Sequence, residues 1–421
     1  MSDPARLTAT EASRKIAAGG LRPEALLEAC LDRIATDETQ VRAFAHFDAA
    51  LVRATMARPG RLHGLPIGVK DVLDTHDQPS AYGSPIWQGH RPKADAACVA
   101  WARAAGAVVM GKTVTTEFAT RKPGPTGNPH NVAHTPGGSS SGSAAGVAAG
   151  FFPLAFGTQT AGSIIRPAAY CGVVGYKPSF GMIARLGMKV MSESLDTIGV
   201  MARSVADCAL FAGAVAGRDL GDPDAKPGTT LRIGLCPGPA GAEASPETLA
   251  LLDRAADRLA AAGAVVVKHP LPQAYAALAT AQPMVMNAEI AASMGWELTT
   301  HRAGVSDGLL EKLDWGLAQG PASLDAARDV MRQMQAHFAS VMEDVDVLLT
   351  PSAQGEAPHG LEWTGDPLFN APWTALHVPC VTVPAGTGPA GLPLGLQIVG
   401  AFGSDRATLA WAQWISNALE G

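Results

Sequence analysis

Charge is scarce in this chain of 421 residues: 17% are Asp, Glu, Lys or Arg, where an average globular chain has about 25%. Aromatic residues are few as well, at 5%. Hydrophobic residues reach 47%, which excludes wholesale disorder, because a chain this long and this apolar buries enough surface to hold a core without staples. No run of lysine or arginine exceeds a pair, and 32 basic against 38 acidic residues leave a net charge of −6. The sequence offers no broad basic face, so neither nucleic acid nor an anionic membrane is expected as a partner.

Paired cysteines are missing too. Cys30, Cys98, Cys171, Cys208, Cys236 and Cys380 lie far apart, with no C-x-x-C spacing, and read as reduced thiols of a cytoplasmic protein. Long apolar runs are also absent. The most apolar stretch, Ala144 to Gly157, contains Gly146, Gly150 and Pro153 and is too short to span a bilayer. The first twenty residues lack the apolar centre of a signal peptide, so neither a leader nor a membrane helix is expected.

What is present is punctuated α/β patterning. Thr8 with Glu11 reads as a capping box and Pro23 as the first turn of a second helix, which places N-terminal helices over about 8–35. Short apolar runs then alternate with amphipathic stretches: LPIGVKDV, DAACVAWARAAG, AVVM, SAAGVAAG, PLAFGT and CGVVGYK. A second α/β portion starts near Ser204, and about 273–343 reads as a helical insertion. The late runs VLLTP and LGLQIVG lack the alternation of half-exposed strands and read as buried strands returning to the first sheet. The preferred organisation is a single domain, 1–421, of α/β class.

Three motifs compete for the chemistry. Gly106 to Thr113 is a literal G-x-x-x-x-G-K-T, which implies a P-loop nucleotide hydrolase. A phosphate loop needs a strand before it and a helix after it, whereas here a helical stretch precedes it and the four central residues, AVVM, are strand-like. Gly138 to Gly142 fits G-x-S-x-G, but the nucleophile elbow of α/β-hydrolases needs an upstream strand, and the upstream segment GPTGNPHNVAHTPG is a loop. His130 and His134 stand four apart in a segment bracketed by prolines, so they do not make a helical zinc pair.

The third motif runs from Thr135 to Gly181, with GLPIGVKDV upstream. It combines a serine- and glycine-rich loop, a helix of small residues, a short strand and a tight turn that sets Ser163 among consecutive backbone N–H groups, as an oxyanion hole requires. Serine needs a neighbouring base, and Lys70, in an apolar setting, is desolvated enough to lose its proton. The plain alternatives are a capped loop serine and a lysine whose head reaches solvent. Trp363, Phe369 and Trp373 are candidates for the mouth of a pocket or for packing.

GVKD, GGSSSGS and GTQTAGSIIRPAAYCGVVGYKPS, in that order, resemble the amidase signature family of serine amidohydrolases over nearly the whole chain. The resemblance implies a large mixed central sheet covered by helices on both faces. It also implies a Ser-Ser-Lys triad of Ser163 as nucleophile, Ser139 as relay on a non-proline cis peptide, and Lys70 as base. Backbone N–H groups among Thr160, Ala161, Gly162 and Ser163 would hold the oxyanion, with Ser140 supporting Ser139. No metal or cofactor is implied, and a homodimer is.

Three departures from the common pattern, Gln159, Ala161 and Arg166 displaced by Ile164-Ile165, are similar to bacterial malonamidases. They imply a small carboxylated amide such as malonamate. Arg166 either grips the carboxylate or makes an internal ion pair, and Gln159 either touches substrate or supports the turn. Alternatives are an amidase of neutral or larger amides and an amidotransferase subunit that releases ammonia for charged transfer RNA.

Overall fold

The computed structural model describes residues 3–55, 59–224, 228–238 and 241–420. The Thr8 capping box forms, with Thr8 Oγ1 accepting from the Glu11 N–H at 3.2 Å and the Glu11 carboxylate accepting from the Thr8 N–H at 2.9 Å. It starts the helix Ala9–Ala17, and Pro23 opens the helix Pro23–Val41. The second helix outlasts the expected boundary near 35 because Asp37–Val41 continues it until Arg42 turns left-handed, at φ 53°.

Eleven strands form one mixed sheet. In chain order they are β1 (Phe44–Phe47), β2 (Pro66–Lys70), β3 (Val108–Thr113), β4 (Leu154–Gln159), β5 (Val174–Lys177), β6 (Thr197–Ala202), β7 (Arg232–Leu235), β8 (Val265–Lys268), β9 (Val347–Pro351), β10 (Cys380–Thr387) and β11 (Pro393–Val399). They lie side by side as β1-β3-β2-β4-β6-β5-β10-β11-β9-β7-β8. Parallel pairing joins β3, β2 and β4 at one end and β9, β7 and β8 at the other, with antiparallel strands between. The late strands β10 and β11 do return to the first sheet, β10 pairing with β5.

Alternation along the buried strands shows why helices cover both faces. In β9, Val347 and Leu349 enter one core while Leu348 enters another. The first core meets the helices Val205–Ala216, Pro246–Ala261 and Asp405–Glu420, the second Leu278–Ser293 and Pro321–Val341. A strand buried on both faces is apolar along most of its length, as VLLTP is apart from Thr350. The segment 273–343 consists of a short turn and the helices Leu278–Ser293, Gly295–Thr300, Asp307–Leu317 and Pro321–Val341.

The P-loop reading fails here. Val108–Thr113 is a fully buried strand, and Lys112 is spent in a 2.9 Å ion pair with Asp71. The elbow reading fails as well, since a loop rather than a strand leads into the helix Ser141–Ala149.

That helix is pressed against neighbouring backbone at Gly142, whose N–H donates to the Val114 carbonyl at 3.0 Å. A Cβ at 142 would lie 2.0 Å from the Ala43 carbonyl oxygen and 2.5 Å from the Val114 nitrogen. Neither neighbour is a side chain that can rotate away. Gly142→Ala is therefore expected to destabilise the protein by about 1–3 kcal/mol, read as a lower urea midpoint; an unchanged midpoint would refute the close approach.

Candidate active site

Parallel β2 and β4 end side by side, and open sheets place their reactive groups beyond such carboxyl ends. Lys70 is the last residue of β2 and Gln159 the last of β4. Lys70 is completely buried. Its amine lies 2.8 Å from Ser139 Oγ, 2.7 Å from Thr158 Oγ1 and 3.4 Å from the Thr158 carbonyl, and the Gly138–Ser139 peptide is cis. Burial lowers the Lys70 pKa to about 7; the Asp196 carboxylate opposes this and the Arg166 charge adds to it. A buried amine with no carboxylate touching it is easily neutral, and a neutral amine can accept a proton from Ser139.

Ser140 is buried behind this pair, its hydroxyl facing the Thr158 carbonyl at 3.4 Å and the Thr158 N–H at 3.3 Å. It supports the strand that holds Thr158 and does not reach the cleft lining.

The turn after β4 is oriented through its carbonyls. The Thr160 carbonyl accepts from Gln282 Nε2 at 3.0 Å, the Ala161 carbonyl from Thr374 Oγ1 at 2.7 Å, and the Gly162 carbonyl from the Arg166 N–H at 3.0 Å. In a planar trans peptide the next N–H points opposite to the carbonyl. The N–H groups of Ala161, Gly162 and Ser163 are thus turned the other way, and among the described residues none has an acceptor. Position 162 has no room for a side chain, because a Cβ would lie 2.5 Å from Asn370 Oδ1.

Ser163 is half-buried and lines a cleft of about 540 Å³ with Thr160, Ala161 and Arg166. Its hydroxyl has no hydrogen bond among the described residues, whereas Ser139 is bonded to Lys70. Catalytic hydrogen bonds are often open in the free enzyme and close around substrate.

Gln159 is not among the residues that line the cleft, and of its two expected roles the structure favours support of the turn. It is fully buried, its Oε1 accepting from the Ile164 and Ile165 N–H groups at 2.9 and 3.1 Å and its Nε2 donating to Thr374 at 2.9 Å. Both ends of the amide are spent on fixing the turn. Arg166 makes no ion pair among the described residues. Its Nε donates to the Thr364 carbonyl at 2.8 Å and one terminal nitrogen to the Gly138 carbonyl at 2.7 Å. The other terminal nitrogen is buried without a partner.

Trp363 lines the cleft, while Phe369 and Trp373 are buried. His130 and His134 are tied to the carbonyls of Cys171 and Ala357. Among the described residues His76, Asp77 and Asp95 cluster closely enough to hold a cation, but Arg103 already pairs with both carboxylates.

Sequence reasoning missed Thr158, Asp196, Gln282, Asn370 and Thr374. Asp196 is buried, accepts from Thr160 Oγ1 at 2.6 Å and from the N–H groups of Met191 and Ser192, and is raised by burial to about 6. Thr158 sits inside a motif already singled out. The others arrive from segments 36 or more residues away, and no local pattern marks them.

A cleft-lining serine among free N–H groups, with a buried serine–lysine pair in the same structure, fits a hydrolase that works through acyl transfer. The comparisons agree and narrow the class. The Amidase family matches residues 25–409. A glutamyl-tRNA(Gln) amidotransferase subunit from Chloroflexus aggregans is 35% identical over 96% of this chain and 94% of its own length. The structure of a peptide amidase from Stenotrophomonas maltophilia matches with a TM-score of 0.81 and 32% identity, covering 99% of this chain and 98% of that one. A 6-aminohexanoate cyclic dimer hydrolase matches with a TM-score of 0.89 and 25% identity, covering 100% and 98%. The chain belongs to the amidase family and is a hydrolase acting on amides.

Thr374 carries two of the bonds that fix the turn. Thr374→Val strands the Ala161 carbonyl and the Gln159 amide in a buried place, where each unsatisfied group costs about 1–3 kcal/mol. A drop in unfolding free energy of that size is expected in urea titration, and an unchanged value would remove Thr374 from the support of the turn.

Proposed function

We propose that the chain hydrolyses a small amide carrying a free carboxylate, malonamate being the simplest, through an acyl-enzyme on Ser163. One observation carries the substrate class: among the described residues three cations, Arg166, Arg121 and Lys312, line the cleft with Asp366 as the sole carboxylate. None of the three pairs with a carboxylate among the described residues. The malonamidase likeness at Ala161 and at Ile164-Ile165 before Arg166 supports the same class, and one terminal nitrogen of Arg166 is buried with its charge unpaired.

In this reading Ser163 Oγ attacks the amide carbon as its proton passes to Ser139 and the Ser139 proton passes to neutral Lys70. The oxyanion lies against the N–H groups of the 160–163 turn, where losing one donor costs roughly 3–4 kcal/mol of transition-state stabilisation. Collapse breaks the C–N bond, and the proton returns through Ser139 to the leaving nitrogen. Water then attacks the acyl carbon with the same groups reversed, freeing Ser163.

A second reading is favoured by the curated relatives, which include glutamyl-tRNA(Gln) amidotransferase subunits aligned over 94–97% of this chain. It keeps the same amide chemistry, with glutamine as ammonia source and partner proteins required.

Ammonia release by the isolated chain from malonamate, malonamide, acetamide and glutamine separates the two. Preference for malonamate is the expected result, and release from glutamine only after partner proteins are added would favour the second reading. Ser163→Ala and Lys70→Ala are each expected to abolish acyl-enzyme formation while the fold persists; a fully active Ser163→Ala would refute the nucleophile.

Activity must also follow the Lys70 proton. Lys70 works only when neutral, so kcat/KM is expected to fall by about tenfold per pH unit below about 7 and to level off above it. A flat profile between pH 5 and 8 would remove Lys70 as the base.

A further inference from the structure

The cations of the cleft fall into two groups. Arg166 is buried at the floor, where its charge interacts with Lys70, Tyr170 and Asp366. Lys312, half-buried on the helix Asp307–Leu317, lines the same cleft as Arg121, which is exposed just beyond the turn Glu117–Ala119. Burial and the Arg121 charge together lower Lys312 to about 8. Neither Arg121 nor Lys312 has a hydrogen bond or an ion pair among the described residues. Two like charges held together over a cleft, one of them partly desolvated, are unfavourable until an anion joins them. Met191, Leu278, Met286 and Ile290 give the same cleft an apolar lining beside Gln282 and Asn287.

We propose that Arg121 and Lys312 form an anion subsite at the outer end of the cleft, holding the carboxylate of a substrate whose amide lies at Ser163 and whose two ends are separated by an apolar spacer. The inference rests on the reading of the chain as a hydrolase of carboxylated amides and specifies where the carboxylate binds. The cleft of about 540 Å³ is far larger than malonamate needs. An ω-carboxyl amide with several methylenes places its chain along the apolar wall and its charge on the pair. Guanidinium and ammonium then share one carboxylate, the guanidinium presenting two parallel donors.

The test measures kcat/KM for malonamate, succinamate, glutaramate and adipamate, each beside its uncharged methyl-ended analogue, in wild type, Lys312→Gln and Arg121→Gln. The charged-to-neutral ratio is expected to rise with spacer length in wild type and to fall tenfold or more for the longer amides in either variant. Lys312→Glu is expected to turn the preference toward an ω-amino amide, a gain that loss of folding cannot mimic. Calorimetric binding of adipamate to Ser163→Ala, with and without Lys312→Gln, gives the same comparison without turnover. A ratio that is highest for malonamate and unmoved by Lys312→Gln would overturn the subsite while leaving the carboxylated-amide reading intact. Absence of charge preference at any length, in rates and in binding, would overturn that reading and the subsite with it.

Discussion

The site depends on one costly placement: a lysine amine shut away from water with no carboxylate touching it. Charged, Lys70 would have to be solvated by three oxygens, those of Ser139, Thr158 Oγ1 and the more distant Thr158 carbonyl. That is poor compensation for lost hydration, and burial therefore favours the neutral amine. The mixed sheet makes this placement possible. Lys70 ends a strand buried between β3 and β4, so its stem is fixed by the ladder and its head emerges where Ser139 crosses the strand ends.

The other half of the site is made of backbone, and its precision comes from behind. Gln159, Thr374 and Gln282 never need to meet a ligand to matter. They bind the carbonyl side of the 160–163 turn or the start of the helix that follows it, and peptide planarity converts that grip into a direction for the N–H groups. Such donors are already oriented before any charge develops on a substrate, which is the condition under which electrostatic stabilisation is largest. The absence of a side chain at Gly162 belongs to the same design, since Asn370 and Arg166 fill the space on the far side.

Much of this was legible along the chain. The strands VLLTP and LGLQIVG announced a doubly covered sheet by lacking alternation, the glycine- and serine-rich loops singled out Ser139 and Ser163, and the apolar run LPIGVKDV singled out Lys70. Local pattern did not show that Lys70 and Ser139 meet, which the family resemblance alone implied, because the contact depends on strand order, which places β2 beside β4 although β3 intervenes in sequence. Gln159 had two readings, contact with substrate or support of the turn, and its hydrogen bonds favour the second. Its burial directs both ends of the amide inward. Asp196 and Gln282 had no signal at all, since a carboxylate or an amide in an ordinary segment acquires significance only from what packs against it.

Arg166 joins these threads, and its chemistry explains why the position calls for arginine. Two of its nitrogens hold the carbonyls of Gly138 and Thr364, tying the loop that carries Ser139 to a cleft wall contributed from far along the chain. Its charge meanwhile disfavours protonated Lys70 and gives the cleft floor a positive potential, although the whole chain is negative by 6. A lysine there would face the same desolvation and could relieve it by releasing its proton, and the potential would vanish with it. Guanidinium stays charged in proteins, and its planar fork reaches two fixed carbonyls while leaving a third nitrogen free. The same residue thus braces the serine loop, disfavours protonation of Lys70 and adds positive charge to the cleft, and none of these requires it to leave its buried seat.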